Sequence, residues 1–145
     1  MVIVLAAKNL NAGNNTSYFS MKGFAEGLSR RGHKVRLIVY GEKPAARKIR
    51  NISKAVTGAD VVHIFEPSRF GRAVCKAARH SGIPVVSGFY TVPEKFILNI
   101  GLGWLTPARH IIYLLWHFCF YRNFKHIHCL SKSVAAQLRT YGYKA

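Results

Sequence analysis

Five short runs of this chain are apolar almost without a break, and between them hydrophobic residues recur at three- and four-residue spacing. The runs Val2–Ala7, Val35–Tyr40, Val61–Phe65, Ile83–Phe89 and Ile127–Leu130 read as strands buried on both sides. A helix is predicted from about Thr16 to Arg31, with Tyr18, Met21, Ala25 and Leu28 on one face and Gly32 placed to end it. A basic helix is expected within Lys43–Val56 after Pro44, with Ile49, Ile52 and Val56 as its inner stripe. Phe70–His80 reads as a helix closed by Gly82, and Pro107–Asn123 as a long one. Lys132–Tyr141 completes the set, capped by Ser131 and ended by Gly142. Apolar strands alternating with helices predict an α/β protein, a Rossmann-like parallel sheet with helices on both faces. Such sheets bind ligands outside the carboxyl ends of their strands. Three loops should meet there: Asn9–Thr16, Glu66–Arg69 and Tyr90–Gly103.

Charge narrows the partners. With 22 Lys and Arg against 5 Asp and Glu, the net charge is +17, and such an excess favours nucleic acid, an anionic membrane or phosphorylated ligands. No helix-turn-helix, RNP or zinc-finger signature accompanies it, so nucleic acid is not the expected partner. Three cysteines without framework spacing suggest reduced thiols in a cytosolic setting. The apolar start lacks a basic flank and a cleavage site, and reads as a strand rather than a signal peptide. The longest apolar run, Ile111–Tyr121, falls far short of the ~20 residues that span a bilayer.

Four stretches carry candidate chemistry. "NLNAGNNTS", Asn9–Ser17, leads from a strand to a helix N-terminus, where Gly13 admits a ligand and the helix dipole favours an anion. An ordinary Asn-rich turn is the competing reading, and neither a dinucleotide fingerprint nor a P-loop is present. In "VVHIFEP", His63 is either a core histidine or a site residue. Glu66, at the strand's carboxyl end, faces ligand or pairs with an arginine. "HIHC" places His126 and His128 on one strand face and Cys129 on the other, with no second ligand pair, so no metal is expected. "WLTPARHIIYLLWHFCFYRNFKH" is aromatic and basic together. It is either a core helix or one with a second face at a lipid interface, where Trp104, Tyr113, Trp116 and Tyr121 would sit at headgroup depth and Arg109, Arg122 and Lys125 near anionic lipid.

The segments "FAEGLSRRGHKVRLIVYG", "GADVVHIFEP", "GIPVVSGFYTVPEKFILNIGLG" and "HIHCLSKSVAAQLRTYGYKA" resemble, in order and spacing, the N-terminal domain of family 4 retaining glycosyltransferases. They look most like bacterial diacylglycerol glucosyltransferases. The resemblance covers essentially the whole chain and implies the acceptor-side half of a GT-B fold, residues 1–145, with the C-terminal donor-binding domain outside them. It implies that Gly13, Asn14, Asn15 and Thr16 approach the donor, a nucleotide-sugar such as a UDP-sugar. Phe65, Glu66, Pro67 and Thr91 border the acceptor. The family's histidine after the fourth strand aligns with Tyr90, and Pro93-Glu94 keeps the family's Pro-Glu, so Tyr90 and Glu94 stand at the catalytic positions. A phenol of pKa near 10 cannot act as imidazole does at neutral pH.

The resemblance therefore implies a hexosyltransferase domain acting on a diacylglycerol-like lipid at the inner face of the cell membrane, with little or no activity alone. Trp104, Arg109, Trp116, Arg122 and Lys125 would form its membrane surface. The donor would be held by a further domain or a partner chain. A non-catalytic paralogue that retains lipid binding is the alternative.

Overall fold

The computed structural model describes residues 1–8, 16–40, 49–90 and 106–145. Five parallel strands form one sheet: β1 (Val2–Lys8), β2 (Lys34–Tyr40), β3 (Val61–Ile64), β4 (Val85–Phe89) and β5 (Ile127–Cys129), in the order β2-β1-β3-β4-β5. The helices are α1 (Thr16–Arg30), α2 (Ile49–Val56), α3 (Arg69–His80), α4 (Thr106–Cys119) and α5 (Lys132–Thr140), with a 3₁₀ turn at Tyr121–Asn123. The expected Rossmann-like α/β sheet is present. Its strand order reverses direction at β1/β3, the switch point beside which such sheets open a ligand crevice.

Strand alternation divides the core. Val4, Ala6, Val62, Ile64 and Phe89 face one side, under α2, α3, α4 and the aromatic turn after it. Ile3, Leu5, Ala7, Phe65 and Tyr90 face the other, packed against Met21, Phe24, Ala25 and Leu28 of α1. Successive strand residues point to opposite faces, so the register alone sets this division.

Local signals act where the sequence places them. The Ser131 hydroxyl accepts from Val134 N at 3.2 Å and starts α5. Ser68 does the same for α3, accepting from Gly71 N at 2.9 Å. Gly82, at φ +69°, takes the left-handed conformation that turns the chain from α3 into β4.

Two boundaries differ from expectation. The helix expected over Lys43–Val56 is described from Ile49, and residues 41–48 lie outside the described set. The long helix expected over Pro107–Asn123 stops at Cys119, because Phe120 leaves helical dihedrals at φ −139°, ψ −63°. A continuous helix would turn part of this aromatic run to solvent. The break lets Phe120, Tyr121 and Phe124 all enter the core, at 2–4 % exposure.

Candidate functional site

At the switch point the carboxyl ends of β1 and β3 are tied together. Glu66 Oε1 accepts the backbone N–H of Lys8 at 2.5 Å. At the opposite edge Asp60 Oδ2 accepts from Val2 N at 2.6 Å. Glu66 thus braces the backbone where the loop after β1 departs. Beside it, Lys8, Tyr40, Pro67, Ser68 and Arg69 line a hollow of about 340 Å³. Phe65, expected to border the acceptor, has no exposed surface and packs in the core on the α1 side of the sheet instead.

The position after β4 holds the least expected arrangement. Tyr90 folds back under the sheet edge and is only 4 % exposed. Its ring stacks on Phe65 (centroids 4.9 Å apart), which stacks in turn on His63 at 4.5 Å. Its hydroxyl lies 2.9 Å from His128 Nδ1 and 3.3 Å from His63 Nε2. A phenol has one proton, so Tyr90 donates to one imidazole and accepts from the other. Phe24 of α1 closes the cluster, edge-on to His63, Phe65, Tyr90 and His128.

Gly88 makes this possible. A Cβ there would lie 1.8 Å from Tyr90 Cε2, so the ring occupies the space any side chain would need. Strand register completes the cluster: Gly88 pairs with His128, and His63 with Val86, so the two histidines project onto the α1 face from the strands on either side of β4.

Burial sets the protonation of His63 and Tyr90. It lowers the pKa of His63 to about 4, with the nearby His128 adding to the effect. It raises the phenol of Tyr90 well above its ordinary range, with Cys129 contributing. Both groups are neutral at pH 7. The unfolded chain takes up a proton at His63 near pH 6.5, which the folded chain refuses until about pH 4. Stability from this group is therefore full above pH 6.5 and is lost as pH falls towards 4, a loss of about 3 kcal/mol. Urea titrations from pH 7 to 4 should show that decline. His63→Gln should remove most of its slope.

The cluster yields no metal centre: among the described residues no three His, Cys, Asp or Glu side chains gather closely enough to hold a metal ion. His126 precedes β5 rather than lying in it.

Helix α4 departs most from expectation. Tyr113 and Tyr121, which the lipid-interface alternative puts at headgroup depth, are core residues at 1 % and 2 % exposure, as the core-helix reading has them. Tyr113 stacks on Tyr141 at 4.5 Å, and Tyr121 donates to Gly88 O at 3.2 Å. The flat aromatic rings bury the most area, so they take the sheet-facing positions. Trp116 is half-buried, with its ring against Phe89 at 6.0 Å. The outward face is apolar and mostly aliphatic: Ile111, Leu114, Leu115 and Phe118 are 43–57 % exposed. Their i, i+3, i+4, i+7 spacing makes one stripe. Arg109, Arg122 and Lys125 are also exposed. No helix among the described residues is long and apolar enough to cross a membrane.

Of the other expected site residues, Gly13, Asn14, Asn15, Thr91, Glu94 and Trp104 lie outside the described residues, and Thr16 is the first residue of α1.

The sheet, its strand order and the crevice at its carboxyl edge define a Rossmann-like domain of the kind that forms the N-terminal half of a GT-B glycosyltransferase. The family model for Glycosyltransferase Family 4 matches residues 44–145, and the chain belongs to that family. No curated protein matches it. No solved structure matches it.

Proposed function

We propose that this glycosyltransferase domain forms the acceptor side of an enzyme that moves a hexose from a nucleotide-sugar, such as a UDP-sugar, to a diacylglycerol-like lipid at the cytoplasmic face of the membrane, with retention of configuration. The observation that carries this reading is the exposed apolar stripe of α4 on a chain of net charge +17. A soluble acceptor needs no such face, whereas a lipid acceptor must be reached in its bilayer. In this reading the loop at Gly13–Thr16 meets the donor phosphate and sugar. Glu66, Pro67 and Thr91 border the acceptor, and Glu94 and Tyr90 belong to the loop that grips the transferred sugar. Most of the donor's affinity comes from a second domain or chain, so the domain alone has little or no activity.

One observation favours the alternative, a lipid-binding paralogue without chemistry: the Tyr90 hydroxyl is buried and engaged by two imidazoles. A single experiment separates the two. Joined to a family 4 donor domain, the chain should transfer labelled hexose to diacylglycerol in vesicles, and Tyr90→His should raise the rate. Vesicle binding without transfer by either form would establish the paralogue. Transfer to soluble acceptors as readily as to vesicles would remove the lipid reading.

A further inference from the structure

A second concave surface lies between α3 and the C-terminal end of α4 with the turn that follows it. Arg69, Arg72, Lys76 and Arg79 follow one another on α3 at spacings of three and four residues, which places them in one row along the helix. None of the five acidic residues lies on α3 or α4. Arg72, Lys76 and Arg79 form the basic wall of a cavity of about 300 Å³ whose remaining lining includes Cys119, Phe120 and Phe124. Arg79 is fixed there, donating to Asn123 O and lying 5.7 Å over the Phe124 ring. Arg72 and Lys76 are exposed at the rim. A neighbouring hollow of similar size continues past Arg72 to Trp116.

An apolar floor under a row of cations suits a ligand that is anionic at one end and hydrocarbon at the other. Its position on α4 indicates where such a ligand comes from. Cys119 at the groove's edge is one helical turn from Leu115 of the aliphatic stripe, so groove and stripe adjoin on one helix.

We propose that the α3/α4 groove binds the headgroup of an acidic phospholipid drawn from the membrane on which α4 rests. The groove shares no lining residue with the hollow at the carboxyl edge, although the neighbouring hollow reaches that edge at Pro67, Ser68 and Arg69. It rests on the membrane reading only in taking a bilayer as the ligand's source. Bound there, the lipid fixes the domain's orientation on an anionic surface.

The test uses Trp116, which lines the adjoining hollow, as reporter in a Trp104→Phe background. Dihexanoyl phosphatidylglycerol, kept below its micelle concentration, should change Trp116 emission saturably. It should bind at least about tenfold tighter than dihexanoyl phosphatidylcholine. Arg72→Ala with Lys76→Ala, both at exposed helix positions, should weaken it about tenfold with unchanged circular dichroism. Leu115→Ser with Phe118→Ser should leave monomer binding intact while vesicle binding falls. Equal binding of the two lipids would overturn the proposal, as would indifference to the Arg72/Lys76 change. Glycerol phosphate binding as tightly as the lipid would show an anion site only, and tighter binding of single-stranded RNA, lost in the same variant, would assign the row to nucleic acid. Monomer binding without vesicle binding by the parent chain would uphold the groove and remove the membrane reading.

Discussion

Gly88→Ala should lower stability by about 3 kcal/mol, a large cost for one methyl group in a strand. The methyl would overlap the Tyr90 ring, whose nearest carbon lies 1.8 Å from the Cβ position. The ring must then leave its place between Phe65 and Gly88 and give up both imidazole partners. Tyr90→Ala should cost about 3–5 kcal/mol through the cavity it leaves. The two changes share one cause, so Gly88→Ala on top of Tyr90→Ala should cost only a few tenths of a kcal/mol more. Denaturant titrations of the four chains close the cycle. Additive costs would mean that Tyr90 does not occupy the space over Gly88. Tyr90→Phe separates ring from hydroxyl: it keeps the packing and leaves the imidazoles without their shared partner, at about 1–3 kcal/mol.

The second large effect concerns binding. Leu115→Ser with Phe118→Ser should weaken partition onto vesicles by roughly 30- to 100-fold without changing net charge. Each side chain is just over half exposed in the folded chain, at 53 % and 57 %. Moving that surface into lipid is worth about 1–1.5 kcal/mol per side chain. Neither side chain belongs to the core, so thermal stability should fall only slightly, through the lower helix propensity of serine and the small area lost. Arg109, Arg122 and Lys125 contribute the salt-sensitive part of binding, so raising ionic strength should weaken the parent chain and the variant by similar factors.

How far the sequence carries can be judged from particular residues. The apolar runs, Ser131, Gly82 and Gly142 mark strand and helix ends closely, because each acts through its own backbone or its immediate neighbours. The break at Phe120 is not legible in that way. It depends on three aromatic side chains finding room in a core built by distant strands. The same holds for α4, whose residues are hydrophobic on nearly every side. Periodicity shows that such a helix has two apolar faces, but only the packed sheet decides that Tyr113 turns inward and Leu115 outward. His63 and His128 lie 65 positions apart, and nothing in either segment links them to Tyr90. The link comes from register, since β3 and β5 flank β4 and all three residues fall on the same parity of the sheet. Glycine at position 88, two residues before a tyrosine at a strand end, was the available signal that a ring folds back across the backbone.

Family membership and the fold place the chain among glycosyltransferases. The claim that most needs testing is that α4 is the face it sets against a membrane. Leu115→Trp, made in a chain carrying Trp104→Phe and Trp116→Phe, puts a single indole on the stripe. On vesicles of mixed anionic and neutral lipid, acyl chains brominated near the headgroup should quench more than half of its emission, while an aqueous quencher loses access to it. Emission unchanged by brominated lipid, on vesicles to which the protein demonstrably binds, would contradict the account.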